Sequence, residues 1–231
     1  MRLILKRFLS SNEIKAVLNI SDCELMHQRV GGQLTFEKSG NGFFYSLPSS
    51  ASILAHPLGQ QLLNWHITKH KLAVANMPKD PETKRALEKL IWDILLPIER
   101  QFSRPTITYG FTALELHKVI SKHFPAGTAP SLDQHAASEK NSADSYICKR
   151  SGAACDFIVA NVKSTELIKF ITEKLDYDRI YFYGTDRPIH VSVTLGMPKR
   201  HLQVMCTSDN GRRYPARKAF GEAAKDLAAS L

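Results

Sequence analysis

Two predicted strands of this chain each begin with a side chain that can bind a metal ion. Asp156 opens the apolar run at residues 157–160, and His190 opens the sequence His-Val-Ser-Val. A helical segment lies between them, so we expect a carboxylate and an imidazole to meet on adjacent strands of one sheet. These are two of the three protein ligands that an open catalytic zinc site uses. The segment therefore predicts both a local fold and a site.

The remaining patterns predict an α+β fold, in which flanking helices accompany a small antiparallel sheet. One helix begins where Asp80 can act as N-cap and Pro81 takes the first helical position, and its apolar face runs to about Phe102. Pro97 should kink this helix or mark its last turn. Periodicity predicts further helices at 52–70, 113–124 and 164–175, the last capped by Ser164, and strands at 106–109, 155–160, 177–183, 190–193 and 202–206.

The composition along the chain divides it into three regions. Residues 1–75 form an N-terminal accessory region, 76–208 an α+β core, and 209–231 a basic C-terminal tail with a helix from about Lys218. The first 45 residues read as short strands and turns, with a hairpin around the turn Gly40-Asn41-Gly42.

The charge and the cysteines of the chain indicate its possible binding partners and its cellular location. The net charge is +9, and the basic excess is densest at 199–201, 212–213 and 217–218. This pattern favours nucleic acid or another polyanion as a partner, or else an ordinary solvated basic surface. No apolar run approaches the roughly 18 residues of a membrane span. The apolar stretch at Met1–Leu9 is too short and broken for a secretory signal, so we expect a cytoplasmic location. In that reducing compartment the four cysteines, which form no C-x-x-C pair, are expected to be free thiols.

Several short motifs occur in an order that is found in a known family. A long helix precedes a Pro-x-Ile-Thr strand at 105–108, and Gly-Ala-Ala-Cys-Asp-Phe follows at 152–157, then a helix and the strand that begins His190-Val-Ser. From about Leu87 to Val193 the chain resembles the zinc D-alanyl-D-alanine carboxypeptidase family, including its endolysin-like members. The resemblance implies a peptidase-like core, bound zinc and hydrolysis of an amide-type bond.

The family motif H-x-x-G-x-A-x-D places Lys149 where a metal-binding histidine is expected. A protonated lysine cannot bind zinc. However, Asp133-Gln134-His135 resembles the Ser-Gln-His that carries the first ligand in many relatives, and an insertion would then separate it from Gly152. On this interpretation His135, Asp156 and His190 hold zinc. The alternative is a site that has lost its metal.

Two further departures concern substrate and catalysis. Thr112 stands where relatives carry an arginine that binds the substrate carboxylate, and the acid nearest the final histidine is Asp186, four residues before His190. Asp186 is the candidate general base, or else an ion-pair partner of Arg187 or Arg179. Guanidinium and phenol groups nearby could bind an anionic or aromatic part of a substrate; the candidates are Arg150, Arg179, Tyr183 and Arg187.

Two functions therefore remain open. The first is a metal-dependent hydrolase that cleaves a peptide-like or other amide substrate. The second is a catalytically inactive, peptidase-like binding module for nucleic acid or another polyanion, because a fold can be kept while its function changes. A nucleotide-linked substrate would combine the two. Among weaker candidates, His66 and His70 are expected to form a surface pair, and Glu139 and Asn141 either orient a ligand or form an ordinary polar loop.

Overall fold

The computed structural model describes residues 7–123 and 134–231 and confirms an α+β fold. The chain divides into two compact units, Met1–Gln60 and Gln61–Leu231. The three-region division made from the sequence stays a prediction. Within the described ranges, no helix combines the length and apolarity that a membrane span requires.

The described part of the first unit contains a three-stranded antiparallel sheet, in which β3 (Gly42–Ser46) lies between β1 (Phe8–Ser10) and β2 (Phe36–Ser39), and two α-helices before the β2–β3 hairpin. The predicted hairpin is confirmed, since β2 pairs with β3 and Phe36 lies opposite Tyr45. The prediction of only strands and turns is wrong, because two helices precede the hairpin. Each begins with a capping box, Ser10 with Glu13 and Ser21 with Glu24, which is the sequence signal that was missed. The elements are β1 (Phe8–Ser10), α1 (Ser11–Leu18), α2 (Asp22–Val30), β2 (Phe36–Ser39) and β3 (Gly42–Ser46).

The helices predicted after residue 52 are present, with bounds shifted by a few residues. They are α3 (Pro57–His70), α4 (Pro81–Leu90), α5 (Leu96–Gln101), α6 (Leu114–His123), α7 (Ser164–Lys174) and α8 (Glu222–Ala229). Asp80 caps α4 by accepting the N–H of Glu82 at 2.7 Å. A π-helical turn, Ile91–Leu95, joins α4 to α5 just before Pro97. Proline has no N–H and crowds the carbonyl four residues earlier, which a wider turn accommodates.

The start of α7 differs from the prediction. Lys163 is the N-cap and Ser164 is already helical. The Ser164 hydroxyl donates to the carbonyl oxygen of Arg187 instead of capping the helix. This bond ties the start of α7 to the turn before His190.

Six strands form the second sheet, in the order β4-β5-β7-β6-β8-β9. Neighbours are antiparallel except β6 and β8, which are parallel, so this sheet is larger and more mixed than the small antiparallel sheet predicted. The parallel pair arises because the chain leaves β7 and returns on the other side of β6. The strands are β4 (Thr106–Tyr109), β5 (Ala153–Ile158), β6 (Arg179–Phe182), β7 (Ile189–Val193), β8 (His201–Thr207) and β9 (Arg213–Phe220).

Strand β9 was not predicted, because its residues were assigned to a basic tail and a helix from Lys218. It pairs antiparallel with β8 at the edge of the sheet, and nearly all of its residues are exposed. An exposed edge strand needs no apolar alternation and tolerates a proline such as Pro215. The local sequence therefore resembles a tail, and only the long-range pairing makes it a strand.

Strand register places polar groups in one row across this sheet. Asp156 lies directly opposite His190, His190 opposite Tyr181, and Tyr181 opposite Gln203. The residues that immediately precede or follow each of these in sequence point to the other face of the sheet. There the row Cys155, Val191, Ile180 and Leu202 is fully buried. One face of the sheet thus supplies core, and the other supplies a polar site.

Gly152 lets β5 begin beside β7. Its φ is +107°, and a Cβ built there would lie 1.8 Å from the carbonyl oxygen of Val193. Only glycine allows this close approach of two backbones, and the approach fixes the position of β5 four residues before Asp156.

We predict that Gly152→Ala strongly destabilises the protein, because the added methyl group collides with backbone that cannot move aside. The matched control is Gly211→Ala, since Gly211 has φ +79° but no atom within 4 Å of a built Cβ. The control should cost about 1–2 kcal/mol from backbone strain alone, and Gly152→Ala more than about 4 kcal/mol. Urea unfolding followed by circular dichroism measures both, and equal losses would contradict the argument.

Candidate metal centre

The structure brings the three predicted ligands together. His135, Asp156 and His190 each offer one ligand atom, and these atoms all lie within 4.8 Å of one another. Asp156 Oδ1 lies 2.8 Å from His190 Nδ1 and 3.3 Å from His135 Nε2. Two of the residues come from neighbouring strands, and His135 comes from a short 3₁₀ helix, Gln134–Ala136. The metal itself stays a prediction.

The segment that carries His135 is held to the sheet by its neighbour Gln134. The Gln134 side-chain amide donates to Asp178 Oδ2 at 3.0 Å and to the carbonyl oxygen of Ser151 at 3.3 Å. On the other side, the N–H of Thr112 donates to the carbonyl oxygen of His135 at 3.0 Å. These bonds place the imidazole beside β5. Asp133, the first residue of the predicted Asp-Gln-His motif, lies outside the described residues.

Aromatic rings hold the two imidazoles. Tyr181 stacks on His190, with ring centroids 4.7 Å apart and planes 15° from parallel. The Tyr181 hydroxyl in turn accepts a 2.8 Å hydrogen bond from Arg150. The Tyr109 ring centroid lies 4.4 Å from that of His135. Arg150, predicted to bind substrate, therefore contacts the ring that packs on a candidate ligand.

The Asp156 carboxylate is stabilised as an anion. Burial by itself raises the pKa of Asp156, but hydrogen bonds and charge interactions with His135 and His190 outweigh burial and hold the pKa well below its usual value. A deprotonated carboxylate is the form that binds metal. The two imidazoles thus prepare Asp156 for a cation.

The donor set fits a zinc ion. Two nitrogens and one carboxylate oxygen match catalytic zinc sites, which keep a fourth position open. Ligand atoms of a tetrahedral zinc ion lie roughly 3.3 Å apart, given metal–ligand distances of about 2.0–2.2 Å. The His135–Asp156 distance equals this value, and the His190–Asp156 distance of 2.8 Å would lengthen by about 0.5 Å to admit the ion. Both nitrogens face the same oxygen, as three ligand atoms of one divalent cation would.

Lys149, which a literal alignment places at a ligand position, is exposed and is not part of this cluster. It lines a small pocket elsewhere, with Cys148 and Ser151 among its neighbours. The arrangement supports the alignment in which an insertion separates His135 from Gly152.

Asp156 opens into a cleft of about 300 Å³. Its other lining residues mix basic, aromatic and small polar side chains: Thr108, Tyr109, Tyr183, Arg187, Pro188 and Arg213. Two of the predicted substrate-binding residues, Tyr183 and Arg187, therefore lie in the same cleft as a candidate ligand. Arg213 was missed, because its position depends on the unpredicted strand β9.

The other predicted site residues lie elsewhere. Arg179 is mostly buried and pairs with Asp178 at 3.4 Å and with His201 Nδ1 at 3.1 Å. Asp186 is exposed in the turn between β6 and β7 and lines a neighbouring cleft of about 400 Å³ that it shares with Arg187. The structure does not bring Asp186 into the cleft of Asp156, so its role as general base stays a prediction.

Several weaker expectations are resolved by burial and bonding. His66 is 1% exposed, so the expected surface pair with His70 is wrong. Its Nε2 lies 3.1 Å from the hydroxyl oxygen of Thr112, which shows that Thr112 fills a structural position. Leu62 and Leu63, one helical turn before His66, are also buried, and that spacing was the available signal.

The polar loop after His135 is structural in the contacts it makes. Glu139 is buried and accepts the N–H groups of Lys79 and Asp80 at the start of α4. Asn141 accepts the N–H groups of Ala143 and Ser145 within its own turn. These bonds account for both side chains without a ligand.

Comparisons of the chain with protein-family models, with curated proteins and with solved structures find no match.

We predict that His66 makes stability depend on pH. Burial, with added repulsion from His135 and His70, lowers the pKa of His66 to about 3, whereas an unfolded histidine titrates near 6.5. Between these values the unfolded state binds the extra proton, so stability falls as pH falls. This group should remove about 2 kcal/mol of unfolding free energy between pH 7 and pH 5.

Urea titrations of metal-free protein across this range measure the effect. His66→Gln should flatten the pH profile by that amount, while replacement of the exposed His27 by Gln should leave it unchanged. Parallel profiles for the native protein and His66→Gln would refute the assignment.

Proposed function

We propose that this chain is a zinc-dependent hydrolase of an amide-type bond, on a scaffold like that of the zinc D-alanyl-D-alanine carboxypeptidases. The observation that carries the proposal is the convergence of one ligand atom from each of His135, Asp156 and His190 within 4.8 Å, beside a cleft that Asp156 lines. The substrate is peptide-like or another amide. The four cysteines are free thiols, which supports a reducing, cytoplasmic setting that cell fractionation would test.

In this proposal the protein residues divide the chemistry. His135, Asp156 and His190 hold the ion, and Tyr183 and Arg187 position the substrate in the cleft. A zinc ion held by these residues would act as a Lewis acid toward the scissile carbonyl and would lower the pKa of a water molecule. Asp186, which lies in the neighbouring cleft that Arg187 also lines, is the proposed acceptor of the proton of the attacking water. The water oxygen adds to the carbonyl carbon, and the carbon–nitrogen bond then breaks as the proton passes from Asp186 to the leaving amine.

A second candidate function is a metal-free binding module for nucleic acid or another polyanion. The observation that favours it is the scarcity of acids in the cleft, where Asp156 is the sole carboxylate among the described lining residues. The exposed strand β9 also presents Arg213, Arg217 and Lys218 at the edge of the sheet. Such a surface attracts phosphate groups through salt-dependent electrostatics.

We predict that the native protein binds about one zinc ion per chain and that His135→Ala abolishes binding, because a ligand is removed. Lys149→Ala is the matched variant, since Lys149 occupies the family position for this ligand and should not matter. Elemental analysis after zinc loading and gel filtration measures the metal, with circular dichroism as the check on folding.

Two other outcomes would contradict the proposal, the first at the level of the ligands and the second at the level of the function. Zinc loss in Lys149→Ala but not in His135→Ala would overturn the ligand assignment. A native protein that takes up no zinc would contradict the hydrolase proposal. Polyanion binding would then be tested next, and the affinity for nucleic acid should fall steeply with added salt.

We predict that Asp186→Asn lowers kcat for amide hydrolysis about 10²- to 10⁴-fold, the usual contribution of a general base, with zinc content unchanged. Asp209→Asn removes an equally exposed acid from the β8–β9 turn and serves as control. The assay uses a panel of short peptides and N-acylated amino acids. An Asp186→Asn variant with native kcat would exclude this residue as the base.

A further inference from the structure

Two arginines face the cleft of Asp156 without an acidic partner. Arg187 comes from the turn before β7 and Arg213 from the start of β9. Across residues 7–123 and 134–231, neither guanidinium has a carboxylate within ion-pair distance. Exposed arginines without partners are common, but two that line one cleft beside a candidate metal ligand are a specific arrangement.

The Arg213 guanidinium is supported by an aromatic ring. Its Cζ lies 4.8 Å from the centroid of Tyr183, which lines the same cleft. A cation above a tyrosine face is attracted by the ring and loses part of its freedom to move. Tyr183 is therefore a positioning residue for Arg213.

Asp156, the one acid among the described lining residues of the cleft, is hydrogen-bonded to two histidines. Asp156 Oδ1 contacts both His135 and His190 and forms no ion pair with either arginine, so the described lining holds two guanidinium charges against one carboxylate. Thr108 adds a buried hydroxyl that has no hydrogen-bond partner among the described residues. The cleft thus combines unpaired positive charge with a spare donor, which favours an oxyanion. A divalent cation at Asp156 would strengthen this preference.

We propose that Arg187 and Arg213 form an oxyanion-binding subsite, which takes a carboxylate or phosphate group of the ligand beside the bond to be cleaved. The inference rests on the proposed function for its role in substrate selection, but the subsite itself needs no metal. It assigns Arg213 a binding role although Arg213 lies outside residues 87–193, where the family resemblance was found.

The test is calorimetric titration of metal-free protein, at low salt and neutral pH, with two oxyanions. Inorganic phosphate represents a phosphate group, and N-acetylglycine represents an acylated amino acid with a free carboxylate. N-acetylglycine amide is the uncharged match and should not bind. The oxyanion that binds more tightly identifies the source of the ligand.

Arg213→Gln and Arg187→Gln should each weaken binding about tenfold or more, because each removes a charge-assisted hydrogen-bonding group. Arg212→Gln is the matched control, since Arg212 adjoins Arg213 in sequence but does not line the cleft. It should change the dissociation constant less than about twofold. An unchanged zinc affinity in Arg213→Gln shows that the fold and ligands are intact.

Failure of this inference is separable from failure of the hydrolase. If neither oxyanion binds, or if Arg212→Gln weakens binding as much as Arg213→Gln, the subsite is overturned, whatever the zinc content. If the oxyanions bind as expected in a protein that takes up no zinc, the subsite proposal is supported and the hydrolase proposal is contradicted.

Discussion

The pairing of β5 with β7 is the constraint on which the candidate site depends. Its register sets Asp156 opposite His190 on the same face, and a slip of one residue would send one of the two to the other face. Gly152 fixes the beginning of that pairing, because no side chain fits against the Val193 carbonyl. The apolar row on the opposite face opposes a slip, since it would expose Cys155 and Val191. The core therefore specifies the geometry of the polar face.

The third candidate ligand is placed by a separate network. Asp178 has its carboxylate bonded to the Gln134 amide and to the N–H of Lys199, and its own N–H donates to the carbonyl oxygen of Ser192. It thus joins the 3₁₀ segment, the loop before β8 and strand β7. A buried carboxylate needs such partners. Through Gln134, the same bonds that satisfy Asp178 hold His135 near Asp156.

What the sequence could predict follows from the range of the interactions involved. The cap at Asp80 and the strands that carry Asp156 and His190 are encoded in neighbouring residues, and their predictions are confirmed. Strand β9 exists only through pairing with β8, so its own residues gave no signal. Single-strand alternation also could not show that Arg179 turns to Asp178 and His201, because that choice depends on partners 22 residues away or on the adjacent side chain.

The position of Arg213 separates two parts of the proposed function. The three candidate metal ligands lie at 135–190, within the segment whose motifs resemble those of the carboxypeptidases, whereas Arg213 belongs to an edge strand beyond it. An edge strand pairs on one side alone, so its sequence is free to change without disturbing the ligand-bearing strands β5 and β7. Substrate preference could therefore change while the metal centre is kept. In the proposed function, the candidate metal ligands would determine the type of chemistry, and the contacts made from β9 would determine which oxyanion-bearing molecule undergoes it.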